Sequence, residues 1–166
     1  MLVDSPHPSL QYLDEAWPSN QSFSVEPLKL TSTFPLLETP GKMPKVLAVD
    51  DDCDSLILLQ QILTQFQCQV ICKSQGLEAL HWAKLRQPDL ILLDIRLQDI
   101  DGFEIVRKLK QHVKTMTIPI VAVTALASQT DRQQLLNAGC NHYISKPYLL
   151  EEIEGLLTRY LQLKDI

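Results

Sequence analysis

The sequence predicts a doubly wound α/β fold, a five-stranded parallel sheet with helices on both faces. Three observations predict it. From Lys45 onward, apolar runs of strand length alternate with longer segments of helical period. The run Leu90 to Leu93 is apolar at every position, the mark of a strand buried on both faces of a parallel sheet. Four of the runs end in residues suited to chemistry: Asp50-Asp51, Asp94, Thr124 and Lys146.

Residues Met1 to Pro44 stand apart from this pattern. Seven of the ten prolines fall here, and Ser, Thr, Gln and Asn fill much of the remainder. No period persists beyond a few residues, so residues 1–44 are expected to be a disordered extension and residues 45–166 the folded domain. The extension also carries Tyr12, Trp17, Phe23 and Phe34. These aromatics fit either a short partner-docking motif or a tail packed weakly on its own domain.

The domain opens with a strand at Lys45 to Val49. A helix from Asp54 to Phe66 follows, with Leu56, Ile57, Leu59, Ile62, Leu63 and Phe66 at helical spacing. Gln69 to Cys72 is a short second strand, and Gly76 to Leu85 a helix bearing Leu77, Leu80, Trp82 and Leu85. Pro88 ends that helix, and Leu90 to Leu93 is the third strand. A helix from Phe103 to His112 presents Phe103, Val106 and Leu109. The run Ile118 to Val123 is the fourth strand. Ser128, with Asp131 three residues later, is a near-match to a capping box and starts a helix that Gly139 stops. Tyr143 to Ser145 is the last strand, and Leu149 to Leu163 the last helix. Right-handed crossovers then bring the carboxyl ends of the strands to one edge, where ligands bind in such sheets.

Composition narrows the function. The chain has 166 residues, 45% apolar and 21% charged, with a net charge of -5. It offers no basic patch for a nucleic-acid backbone. It has no apolar stretch near the roughly 20 residues of a membrane span and no secretory signal, so a cytoplasmic location is expected. The cysteines are Cys53, Cys68, Cys72 and Cys140; Cys68 and Cys72 share strand parity and read as small core hydrophobes rather than metal or redox residues. His7, His81, His112 and His142 have no ligand spacing. The chemistry is therefore sought in Asp50, Asp51 and Asp94. Crowded carboxylates repel one another unless a cation neutralises them, and an all-oxygen cluster suits a hard ion such as magnesium. Asp52 and Asp54 read as rim acids or a helix cap.

Val49-Asp50-Asp51, Asp94 with Asp101-Gly102, Thr124-Ala125 and Lys146-Pro147-Tyr148 together resemble the receiver domain of two-component response regulators, of the CheY-like, stand-alone kind. The resemblance covers Lys45 to Leu163 and implies a flavodoxin-like strand order, 2-1-3-4-5. It implies that Asp94 is the phospho-acceptor, that Asp50, Asp51, Asp94 and the backbone carbonyl of Arg96 hold Mg2+, that Thr124 and Lys146 contact the phosphoryl group, and that Thr124 and Tyr143 form a switch. The expected partners are a sensor histidine kinase or histidine phosphotransfer protein, and an effector docking on the face of the fourth helix, fifth strand and fifth helix. A phosphorylation-dependent homodimer is a further expectation; membrane and nucleic-acid partners are not. The chemistry would be self-phosphorylation and self-dephosphorylation rather than that of an enzyme. The resemblance also implies that Arg96 and Leu126 flank the path of a hydrolytic water; neither can orient it as a base, which predicts slow dephosphorylation.

Two departures and two rivals bear on this. Gln98 stands where many relatives have proline, which removes no chemical group. A flavin-binding fold would need hydroxyls and amides after the first strand, where Asp50-Asp51-Asp52-Cys53-Asp54 would repel phosphate. An aspartyl-phosphate phosphatase of the haloacid dehalogenase type normally has an acid two residues after its nucleophile; here it is Arg96. The alternative within the fold is a pseudo-receiver, a binding module without phosphorylation. Such proteins usually lose an acid, the threonine or the lysine, and all are present here.

Overall fold

The computed structural model describes residues 42–125 and 128–162. Of the Pro-rich segment 1–44, only Lys42, Met43 and Pro44 lie among the described residues. Five strands alternate with five helices: β1 (Lys45–Val49), α1 (Cys53–Gln65), β2 (Gln69–Lys73), α2 (Gly76–Arg86), β3 (Leu90–Leu93), α3 (Gly102–Gln111), β4 (Ile120–Thr124), α4 (Gln129–Ala138), β5 (His142–Ser145) and α5 (Leu150–Leu161). All strand pairs are parallel, and the order across the sheet is β2-β1-β3-β4-β5.

The alternation of side chains along each strand sorts the core into two layers. Leu47, Val49, Ile91, Leu93, Ile120 and Ala122 pack with α2, α3 and α4. Val46, Ala48, Leu90, Leu92, Val121 and Val123 pack with α1 and α5. Strands β1, β3 and β4 are covered on both faces, which is why their sequences are continuously apolar rather than alternating. Cys68 and Cys72 join the same layer as expected, and all four cysteines are free.

Local chemistry fixes the element ends. Ser128 accepts the Asp131 amide at 3.0 Å and donates its hydroxyl to the Asp131 carboxylate at 2.6 Å, so the near-match to a capping box works as a cap. Gly139, at φ 113, closes α4 in the left-handed region that glycine adopts freely. Asp52 is the N-cap of α1, accepting from the Asp54 amide at 3.2 Å and the Ser55 hydroxyl at 2.8 Å.

Some sequence expectations shift. The fourth strand begins at Ile120 rather than Ile118, because Pro119 has no amide and the Ile118 carbonyl accepts from Lys110 Nζ at 2.8 Å. Helix α1 buries Leu56, Leu59, Ile62 and Leu63 but leaves Ile57 exposed. In α2 it is Gly76, Ala79, Leu80 and Ala83 that are buried, Gly76 against Ile105 of α3 and Leu97 and Ile100 of the loop before it, while Leu77 and Leu85 face outward. Small residues allow α2 to lie close to the sheet, and the larger side chains at its edges stay outside.

Candidate functional site

Register places the site. Val49 of β1 pairs with Leu93 of β3, so Asp50 and Asp94 leave adjacent strands side by side. The Asp94 amide donates to the Val49 carbonyl at 2.8 Å, extending the ladder by one bond and fixing the Asp94 backbone. Thr124 of β4 pairs with Ser145 of β5, and the Lys146 amide donates to the Thr124 carbonyl at 3.0 Å. The four strand ends therefore deliver acids, threonine and lysine to one edge of the sheet.

Carboxylate oxygens of Asp50, Asp51 and Asp94 lie within 4.8 Å of one another. Asp50 is 1% exposed and Asp94 7% exposed, while Asp51 is half-buried. The carboxylates of the two buried acids are met by donors. Asp50 accepts from the Asp52 amide at 3.0 Å, and Asp94 from the Arg96 amide at 2.9 Å. Lys146 Nζ bridges them, at 2.5 Å from Asp50 Oδ2 and 2.7 Å from Asp94 Oδ2. One ammonium faces three carboxylates, so the pocket retains an excess of negative charge and an oxygen-only donor set, the requirement of a hard cation.

Burial pushes the Asp50 carboxyl above its ordinary 3.8, against the hydrogen bonds from Lys146 and the Asp52 amide, which pull it down. Burial acts to lower Lys146, but its bonds to Asp50 and Asp94 outweigh that and hold the ammonium above its ordinary value. The sign for Asp50 has a consequence. Between 3.8 and the raised native value, the folded protein binds a proton that the unfolded chain has released. The contribution of Asp50 to stability therefore falls as pH rises through that window and is constant above it. In metal-free buffer, comparison of wild type with Asp50→Ala by thermal unfolding should show the difference moving in the variant's favour as pH rises from about 4. Movement in the wild type's favour would mean that its partners, not burial, govern Asp50.

Thr124 is fully buried at the end of β4. Tyr143 is half-buried, packs against the layer formed with α2, α3 and α4, and has the Arg132 guanidinium of α4 5.5 Å from its ring centroid. It is thus tied to α4 and to the sheet together. Arg96 sits in the loop after β3 with an exposed side chain. Leu126 lies outside the described residues.

Two supporting residues were not singled out from sequence, and a third was read only as part of the Asp101-Gly102 motif. Asp99, in the β3–α3 loop, accepts from the Gly76 and Leu77 amides at 3.0 Å each and so caps α2 from a distance of 22 residues or more in sequence. Asn141 accepts from the Ile120 amide at 2.9 Å and from Lys110 Nζ at 3.2 Å, tying β4 to the start of β5. Gly102 is required where the loop after Asp94 turns into α3: a Cβ there would stand 2.5 Å from Ile95 Cα, and backbone cannot give way. Only the Asp101-Gly102 pair carried a visible signal, as Asp101 accepts the Phe103 amide at 3.0 Å in the helix cap.

Comparison with known proteins agrees with the fold. The response regulator receiver domain model matches residues 46–158. The polar-differentiation response regulator DivK of Brucella anthropi is 36% identical over 120 residues, spanning 72% of this chain and 98% of that protein. The receiver domain of sensor histidine kinase PA1611 from Pseudomonas aeruginosa, solved with magnesium coordinated in its active-site cleft, aligns with a TM-score of 0.68 at 30% identity over 73% of this chain and 99% of that one. CheY4 of Vibrio cholerae, a chemotaxis response regulator, aligns with a TM-score of 0.68 at 28% identity over 72% of this chain and 99% of that one. Such domains are signalling modules that work with histidine kinases and effectors. With that model spanning most of the folded residues, and relatives matched over nearly their whole length, this chain belongs to the response regulator receiver domain family.

Proposed function

We propose that this receiver accepts a phosphoryl group on Asp94 in a magnesium-dependent reaction and signals through phosphorylation-dependent binding to another protein. The observation that carries the reading is the convergence of Asp50, Asp51, Asp94 and Lys146 at one sheet edge, with Lys146 already bonded to Asp94. An Asp94 carboxylate oxygen attacks the phosphorus of a phospho-histidine or a small acyl phosphate. The new oxygen–phosphorus bond forms as the donor's bond to phosphorus breaks, its electron pair leaving with the imidazole or carboxylate. Asp50, Asp51, Asp94 and the Arg96 carbonyl would hold Mg2+, and the oxygen donor set fits it. Bound there, the ion would neutralise charge on the acids and the incoming phosphoryl oxygens. Lys146 then turns from its carboxylates toward the transferred group, and Thr124 donates to it.

The switch follows from position. Tyr143 lies on β5, next to β4 and tied to Arg132 of α4, so a shift at Thr124 is passed to the face formed by α4, β5 and α5. That face is the proposed docking surface for an effector or a second copy, and a histidine kinase or phosphotransfer protein the proposed donor. The exposed Arg96 guanidinium covers the phosphoryl group and slows its hydrolysis. A cytoplasmic location suits these partners, and no described helix is long and apolar enough to cross a membrane. Residues 1–44 are proposed as a Pro-rich extension to the receiver domain of residues 45–166.

The test is chemical-shift mapping of the full chain on addition of magnesium and beryllofluoride, a phosphoryl mimic. Changes should spread from the acids through β4 to Tyr143, α4 and α5. Changes confined to the acid pocket would favour the pseudo-receiver, a binding module indifferent to phosphorylation.

A further inference from the structure

Two arginines flank β5, an edge strand of the sheet, and each lies on a tyrosine. The Arg132 guanidinium of α4 stands 5.5 Å from the ring centroid of Tyr143 on β5, and the Arg159 guanidinium of α5 stands 5.5 Å from that of Tyr160. The Tyr160 hydroxyl donates to the Asn141 carbonyl at 3.2 Å, just before β5, so the second pair is tied to the strand as the first is. Among the described residues neither arginine meets a carboxylate. Acids of the same helices are engaged at the helix starts: Asp131 with the Ser128 hydroxyl at 2.6 Å, Glu152 with the Leu149 amide at 2.7 Å. A chain of net charge -5 therefore carries unmatched positive charge on the face around β5.

A guanidinium stacked on a ring uses its flat face and leaves its N–H fork free at the rim, where carboxylates bind in pairs. One turn along α4 from Arg132, Leu136 is 40% exposed, so an apolar contact lies beside the charge. Arg132 is also coupled to the switch. Its ring partner, Tyr143, is half-buried against the layer formed with α2, α3 and α4. An inward turn of that ring, following Thr124, takes the support from under the guanidinium. At rest the arginine must leave the ring to reach a partner; after the turn it has nothing to leave.

We propose that the β5 face takes an acidic segment of a partner protein, with carboxylates on Arg132 and Arg159 and an apolar side chain on Leu136. Arg132 is then the specificity-determining residue that makes this binding depend on phosphorylation. This rests on the reading of the β5 face as the docking surface and of Tyr143 as part of the switch.

The probe is a fluorescein-labelled peptide alternating aspartate and leucine, titrated with the full chain in magnesium buffer with and without beryllofluoride. Anisotropy should show binding roughly two- to fivefold tighter with beryllofluoride, the amount an exposed cation–π stack withholds at rest. Arg132→Gln should bind more weakly, and equally in the two states. Arg159→Gln should bind more weakly while keeping the difference between them. Both arginines are exposed, so melting temperatures should match the wild type. A peptide alternating lysine and leucine should not bind. Equal wild-type affinity in the two states, a beryllofluoride gain that survives Arg132→Gln, or equal binding of the lysine peptide would overturn the inference. So would a beryllofluoride-dependent dimer that the acidic peptide fails to displace, which would give the face to a second copy. Tyr143 ring signals, read by NMR in the same samples, separate the two failures. Signals that do not move on adding beryllofluoride would overturn the switch reading itself. Signals that move while the peptide affinity does not would overturn this inference alone.

Discussion

Asp94→Asn should abolish phosphoryl incorporation from acetyl phosphate or a phospho-histidine donor. The substitution is nearly isosteric. It keeps an oxygen that can accept from the Arg96 amide or from Lys146, as Asp94 does at 2.9 and 2.7 Å. What it removes is nucleophilicity, since an amide oxygen carries no full charge with which to attack phosphorus. The fold should survive, because the Asp94 amide donates to Val49 from the backbone and the surrounding strand is apolar. Incorporation counted with radiolabelled donor, beside an unchanged circular dichroism spectrum, checks both halves. Undiminished labelling would remove Asp94 from its role.

Asp51→Ala should weaken magnesium binding by more than tenfold and slow phosphorylation in proportion, while leaving the domain folded. Even residues that only support metal ligands cost about 10–100-fold in affinity when removed, and Asp51 is proposed as a ligand itself. It is the most accessible of the three acids whose oxygens lie within 4.8 Å, so its loss opens no cavity in the core. Removing one of three crowded carboxylates also relieves repulsion in the metal-free state, so the unliganded melting temperature should hold or rise. Magnesium should then stabilise wild type more than the variant, by linkage. Titration followed by thermal unfolding measures both. A wild type indifferent to millimolar magnesium would show that the pocket does not take the ion.

Much of this was legible in the sequence, for physical reasons that differ from element to element. Leu90 to Leu93 could be read as a strand because a run apolar on both faces must be buried on both, and the structure buries all of it. Asp50, Asp94, Thr124 and Lys146 could be found because parallel strands bring their carboxyl ends to one edge whatever the loops do. Helix faces were less legible. Ile57, Leu77 and Leu85 fit an apolar period, yet they are exposed, since periodicity does not say how wide a stripe the sheet covers. Asp99 and Asn141 left no signal, because each acts on an amide more than 20 residues away and only the closed fold brings the pair together. Tyr148 is the subtlest case. Its position after Lys146-Pro147 was visible, but that its hydroxyl lacks a partner among the described residues is a property of the packed state alone.

The central claim is that this pocket makes a covalent bond to phosphorus at one carboxylate. Reductive trapping tests it most directly. The full chain is incubated with acetyl phosphate and magnesium, then treated with borohydride, which converts an aspartyl phosphate to homoserine, and the peptides are mapped by mass. The account predicts homoserine at position 94, absent when magnesium is chelated. Homoserine at another aspartate, or none in a chain shown by mass to be phosphorylated, would contradict it.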